Sequence, residues 1–350
     1  MTEAGGSELL RQHGGRIDAA ARLYPQAPTP WLDLSTGISP HAYPLPPIPP
    51  EVWQRLPLGR DLAALEAAAR SAYGCPAGMV LVPVPGSEIA IRMMPWLVPA
   101  RSRVGLLGPT YPSHAAAWEG SGAVVRPLSG LPPPDADDLD VVVLANPNNP
   151  DGRVVARADL LAFAERWGAA GRRLVVDEAF ADVAPEVSLL ALPALPPGLV
   201  VLRSLGKFFG LAGLRVGVVA VAAADAPAWR QRLGDWPVAG PACVIATAAL
   251  TDAGWIAAMR ARLAADRRRL DALLAAGGIA PCGGTDLFVL AEGPAGIDLV
   301  DHFARAGILV RGFAGAPDRI RVGLPGAEAE WSRLAAAIDL IPRRCAAAAR

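Results

Sequence analysis

Between residues 79 and 222 short apolar runs rich in Val and Leu alternate with longer helix-forming stretches. The runs predict strands at 79–84, 103–107, 140–145, 173–177, 199–203 and 216–221, with helices at 87–97, 113–120 and 157–168 between them. Strands separated by helices in this way make an α/β domain around a largely parallel sheet. From 241 to 276 the pattern is helical, with Arg residues at 267–269 on an expected exposed face. Beyond it, strands at 285–290, 307–311 and 319–322 and helices at 296–306 and 327–338 predict a smaller α+β domain. The expected division is an N-terminal segment, 1–58, that joins the small domain, a large domain at 59–240, and a long helix with the small C-terminal domain at 241–350. Residues 44–50, five of them proline, read as an extended crossing, and 343–350 as a frayed tail. No internal repeat is present.

A chain of 350 residues can bury a substantial core. Lys plus Arg balances Asp plus Glu at 33 each, so no charge excess marks a nucleic-acid partner. No run is long and apolar enough for a membrane span, and the N-terminal residues lack the apolar centre of a signal peptide, so a cytoplasmic protein is expected. The four cysteines and four histidines lie without metal-ligand spacing, and no metal is expected. One count changes the picture: of the 33 basic residues, the single lysine is Lys207. Guanidinium can replace ammonium in a salt bridge or a phosphate clamp, but it cannot form an imine, which needs a primary amine able to lose its proton.

Lys207 lies in Ser204-Leu-Gly-Lys207-Phe-Phe-Gly-Leu-Ala-Gly-Leu-Arg215, just after a predicted strand. Desolvation there lowers a lysine pKa, and Arg215 offers a planar fork to a phosphate. Asp177 closes an apolar strand in Val175-Val-Asp177-Glu-Ala-Phe180, at the sheet edge where α/β folds bind ligands. It can pair with a protonated pyridine nitrogen, or serve as a helix cap or salt-bridge partner. The turn Ala145-Asn-Pro-Asn-Asn149-Pro-Asp-Gly152 holds every asparagine of the chain, and Asn149 can donate to a phenolate oxygen. Gly86, Ser87 and Glu88 join a strand to a helix, where backbone N–H groups can cradle an anion and Ser87 can equally act as the N-cap. Tyr111 follows another strand and can stack on a flat ring.

Together and in this order, the five segments resemble the fold-type I pyridoxal-phosphate enzymes of the aspartate aminotransferase superfamily. The resemblance implies a large domain with a mostly parallel central sheet, a smaller α+β domain, and a homodimer with its active sites at the interface. It also implies that Lys207 holds the cofactor covalently, Asp177 binds the ring nitrogen, Asn149 the ring hydroxyl, and Tyr111 stacks. Gly86, Ser87, Glu88, Ser204 and Arg215 would then surround the phosphate.

Within the superfamily the chain looks most like the threonine-phosphate decarboxylase branch of cobalamin biosynthesis. The carrying segments are His13-Gly14-Gly15, Leu32-Asp-Leu-Ser-Thr-Gly-Ile-Ser-Pro40, Phe180 where many aminotransferases have Tyr, and Arg321-Val-Gly-Leu-Pro-Gly. Gly206, Leu56 and Asp151 depart from the pattern, standing where relatives often have Ser, Tyr and Thr. The branch implies decarboxylation of a small phosphorylated amino acid, L-threonine O-3-phosphate; the alternative is a histidinol-phosphate-type aminotransferase. Two anionic groups on such a substrate need cations. Arg319 is assigned to the carboxylate and Arg311 with His13 to the phosphate, with Arg321 an alternative for either. His41, His114 and His302 are read as structural or exposed. A catalytically silent member of the fold is the remaining rival, which the presence of Lys207, Asp177 and Asn149 opposes.

Overall fold

The computed structural model describes residues 10, 11, 13–76, 78–192 and 196–342. The tail expected at 343–350, with Cys345, lies outside them. In chain order the strands are β1 (Leu32–Asp33), β2 (Met79–Val84), β3 (Arg103–Leu107), β4 (Val124–Leu128), β5 (Val141–Ala145), β6 (Arg173–Asp177) and β7 (Leu199–Ser204). They continue with β8 (Gly217–Ala222), β9 (Ala280–Thr285), β10 (Phe288–Glu292), β11 (Ile308–Leu309), β12 (Arg311–Phe313) and β13 (Ala316–Gly323).

Contacts divide the chain into two compact units, Ala42–Ala258 and a second made of Met1–His41 with Met259–Arg350. The boundaries thus fall at 41/42 and 258/259 rather than at the expected 58/59 and 240/241. Helix Gly240–Thr251 packs on helix Gly59–Tyr73, so both belong to the larger unit, and residues 42–58 go with them. The extended 44–50 segment is tied there by the Tyr43 N–H, which donates to the Phe209 carbonyl at 2.9 Å.

The larger unit is a seven-stranded sheet in the order β2-β8-β7-β6-β5-β3-β4. Only β8 runs against its neighbours; β3 to β7 are parallel. Strands β5 and β7 are buried along their whole length, as a sheet covered on both faces requires. One covering layer contributes Ile91, Met94, Trp118 and Trp229 to the core. Strand β4 was not anticipated: Arg126 and Pro127 interrupt an edge strand that is mostly exposed, and edge strands lose the apolar signal. The helix expected at 87–97 ends at Met93 and continues as a 3-10 turn, because Pro95 supplies no N–H. The helical span from 241 breaks at Asp252, whose carboxylate accepts the Trp255 N–H at 2.9 Å and so caps the next helix, Ala253–Ala276.

The smaller unit contains the antiparallel sheet β12-β13-β10-β9 and a short parallel pair, β1 with β11. The strand expected at 307–311 is two strands, since β11 pairs with β1 while β12 pairs with β13. Arg267 is another correction. It is not on a solvated face: its guanidinium donates to the carbonyls of Gly283, Thr285 and Phe288 and clamps the β9–β10 hairpin. Arg269 does face outward, pairing with Glu328 and lying 4.3 Å from the Trp331 ring centre. Among the described residues no single helix is long and apolar enough to cross a membrane.

Candidate active site

Asp177, Ala145 and Ser204 are the last residues of β6, β5 and β7, and the loops after β2 and β3 reach the same edge of the sheet. Parallel strands point their carboxyl ends to one edge, so residues far apart in sequence meet there. They line a cavity of about 220 Å³ with Ser87, Glu88, Tyr111, Asn149, Phe180, Gly206, Lys207 and Arg215. Every residue assigned to the cofactor except Gly86 is thus a cavity wall, and Gly86 immediately precedes Ser87.

Asp177 is buried and fixed on both oxygens. Oδ1 accepts the Ala179 N–H at 3.1 Å, and Oδ2 lies 3.0 Å from His114 Nε2. An ionised carboxylate only accepts, so His114 Nε2 carries the proton in this bond. His114, expected to be structural or exposed, is buried against this acid. The signal was its spacing. His114 stands three residues after Tyr111, the residue that precedes helix Pro112–Gly120, and the two rings meet edge-on. The Tyr111 hydroxyl donates to Glu88 Oε2 at 3.2 Å, and burial, with help from Glu88 and against a bond to Ser113, pushes its pKa above the ordinary phenol value. Lys207 Nζ lies 5.7 Å from the centre of the Phe180 ring.

The arginine end of the cavity rests on unusual backbone. Arg215 has φ 56° and ψ 53°, a left-handed conformation uncommon for a residue with a Cβ. Gly86, at φ 87°, makes room for it, because a Cβ at 86 would come within 2.7 Å of Arg215 Nη2. Gly206 has a similar cause: a Cβ there would sit 3.1 Å from Ala212 Cα, tighter than ordinary packing. Asp151, the third departure in this loop set, holds its turn by accepting from Asn148 Nδ2 at 2.7 Å and from the Arg153 N–H at 3.0 Å.

Behind the cavity, Arg203 bridges Glu178 at 3.0 Å and Asp182 at 2.6 Å, and all three side chains are buried. Glu178 also accepts from Ser188 Oγ and the Leu189 N–H. The cluster pins the residues that follow Asp177 and precede Ser204. Arg203→Met is expected to cost about 3–5 kcal/mol of stability, because two carboxylates lose their cation in a place water cannot reach. Urea unfolding measures this, and an unchanged midpoint would contradict the account.

In the smaller unit the four candidate substrate residues differ in their surroundings. Arg319 is half exposed and paired with Glu292, its partner across β13 and β10. A guanidinium held by a neighbouring carboxylate is a poor receptor for another one. Arg321 is buried, donates through Nη2 to the Ser35 carbonyl at 2.6 Å, and lies over the Phe288 ring at 4.9 Å. It also stands directly opposite Arg311 in the β12–β13 register. Ser35 draws in the His13 segment as well, since its Oγ accepts the Gly15 N–H at 2.8 Å. His13, Arg311 and Arg321 therefore belong to one corner of this unit, and Arg319 to its solvated edge.

The cavity of the larger unit matches pyridoxal phosphate group by group. The lining offers an amine suited to an aldehyde carbon, a carboxylate suited to a pyridine nitrogen, an amide suited to a phenolic oxygen and a phenol suited to a ring face. Two serines and a guanidinium remain for the phosphate, with the space above Gly86 kept for that guanidinium. Among the described residues no three His, Cys, Asp or Glu side chains gather as a metal site would require.

Comparison with known proteins adds an independent finding. The family model described as aminotransferase class I and II matches residues 64–338. The chain is 44% identical to a threonine-phosphate decarboxylase of Pseudomonas aeruginosa, covering 94% of this chain and 97% of that one. It is 41% identical to another of that name from a Sinorhizobium species, covering 93% and 97%. A histidinol-phosphate aminotransferase from Sinorhizobium meliloti, solved in complex with pyridoxal-5'-phosphate, shares the fold at a TM-score of 0.74 and 22% identity, covering 92% of this chain and 93% of that one.

Proposed function

Because the chain belongs to the class I and II aminotransferase family, we propose that it is a pyridoxal-phosphate-dependent decarboxylase of L-threonine O-3-phosphate. Carbon dioxide and (R)-1-amino-2-propanol O-2-phosphate would be its products, the latter for cobalamin biosynthesis. The observation that carries the reading is the near-full-length likeness to threonine-phosphate decarboxylases. The residues around Lys207 supply its chemistry.

When bound, pyridoxal phosphate supplies a sink for the electron pair left on the substrate α-carbon as carbon dioxide departs. Lys207 Nζ holds the cofactor before substrate arrives. Its amine would also serve as the base and acid that delivers a proton to the substrate α-carbon in place of carbon dioxide. Asp177, fixed by Ala179 and His114, keeps positive charge on the ring nitrogen. Asn149 donates to the ring hydroxyl without adding charge. Ser87, Ser204 and Arg215 hold the phosphate, and Tyr111 covers the ring.

Arg321 takes the substrate role first given to Arg319, binding the carboxylate, while Arg311 and His13 bind the phosphate. Support comes from their neighbours: Arg319 is committed to Glu292 at the exposed edge, whereas Arg321 is buried beside the Ser35 carbonyl in the segment that follows His13. Arg321→Ala is expected to raise KM by about 10- to 100-fold, the worth of a charged hydrogen bond. Arg319→Ala should stay within about threefold, as an exposed pair is worth little. Steady-state kinetics of the two variants would sink the assignment if their order were reversed.

A homodimer is also proposed. Leu45, Trp53 and Leu56 are 65%, 66% and 59% exposed within one short stretch of the larger unit, an apolar surface suited to a second copy. Sedimentation of the holoenzyme should give twice the 36.3 kDa chain mass, and a monomer would refute it.

The reaction itself is tested by supplying L-threonine O-3-phosphate without any keto acid and following carbon dioxide and the phosphorylated amino alcohol by mass spectrometry. Turnover without an amino acceptor is expected. No carbon dioxide, together with glutamate formed from histidinol phosphate and 2-oxoglutarate in a separate assay, would make the enzyme an aminotransferase.

A further inference from the structure

Glu88, expected among the residues around the phosphate, brings an acid to the cavity that also holds Ser87 and Arg215. A carboxylate near a phosphate site works against anion binding, so its side chain needs another reason to be there. Its bonds give one. Oε2 accepts the Tyr111 hydroxyl at 3.2 Å, and Oε1 accepts Arg92 Nε at 2.9 Å from one turn further along helix Ser87–Met93.

The two ends of the Glu88–Tyr111 bond come from separate parts of the sheet. Helix Ser87–Met93 follows β2, Tyr111 follows β3, and four strands lie between β2 and β3 in the sheet order. The bond therefore joins the helix beginning at Ser87 to the aromatic ring on the far loop. Arg92 holds the carboxylate from its other side, and the Tyr111 ring meets the His114 ring edge-on at 87°. A ring tethered at its hydroxyl and braced on its edge loses little freedom when a flat ligand stacks on it.

We propose that Glu88 is a positioning residue that acts through the Tyr111 hydroxyl, setting the ring for stacking on the cofactor and coupling it to the phosphate-binding helix start. This rests on the pyridoxal-phosphate reading of the cavity.

The test is a double-mutant cycle on the dissociation constant of pyridoxal phosphate, measured by quenching of protein fluorescence in the full chain stripped of cofactor. Visible circular dichroism of the bound cofactor reports ring geometry in parallel. Glu88→Ala and Tyr111→Phe are each expected to weaken binding about 3- to 10-fold and to change the dichroic band alike. Their double variant should be no weaker than the worse single. Glu88→Gln keeps an acceptor without the charge and should bind at least as tightly as the wild type. The signs separate the causes, since simple removal of a negative charge would tighten phosphate binding. Tighter or unchanged binding by Glu88→Ala, or effects that multiply in the double variant, would overturn the inference while leaving the cofactor site intact. A wild-type chain that binds no pyridoxal phosphate would overturn both.

Discussion

Lys207→Ala is expected to lower kcat by about 10⁴-fold or more, because the variant lacks both the amine that bonds the cofactor and the group that returns a proton to the substrate. Lys207→Arg should be as inactive, since guanidinium keeps the charge but forms no imine. The chain makes this unusually simple to verify. With a single lysine, borohydride reduction of the holoenzyme should add one cofactor to one peptide, the one containing residue 207, and nothing elsewhere. The amine sits 5.7 Å from the Phe180 ring centre on the wall of the cavity, so reduction should need no unfolding. Measurable turnover by either variant, or a labelled site other than Lys207, would refute the assignment.

Asp177→Asn should reduce kcat by about 10²- to 10³-fold while leaving the cofactor on Lys207, as loss of one preorganised charge does in other sites. The amide cannot hold a proton on the ring nitrogen, and its NH₂ group must face one of two donors, the Ala179 N–H or the His114 Nε2–H, which leaves that one without its acceptor. His114→Asn tests the same contact from its other end. It removes the 3.0 Å bond to Oδ2 but leaves the Ala179 N–H on Oδ1, so a smaller fall, about 10-fold, is expected. The visible spectrum of the bound cofactor read against pH, together with kcat, checks both variants. Asp177→Asn with wild-type kcat would remove the acid from the mechanism.

Arg319 and Arg321 show where reading along the chain stops. Both stand on β13 two residues apart, and strand periodicity sends both side chains to one face. What separates them is their neighbours. Glu292 is opposite Arg319, whereas Arg311 is opposite Arg321, and register between strands is not written in the spacing of one of them. His114 was passed over for a related reason. Its partner, Asp177, is 63 residues away, and the bond exists only because β3 and β6 end at the same edge of the sheet.

The α/β class, most of the buried strands and most of the residues that line the cavity were legible from the amino-acid sequence alone. Each depends on local facts: a run of β-branched residues, a glycine before a helix, an acid closing an apolar strand, one lysine in a chain of arginines. Tertiary structure alone decided the unit boundaries, since helix Gly240–Thr251 belongs with the helix on which it packs. It alone turned Arg267 inward onto three carbonyls, buried Arg203 between two acids, and set Arg215 against Gly86. The physical reason is common to all of these. A side chain's chemistry is fixed by its type, but its charge partner, burial and role are set by what the fold brings beside it.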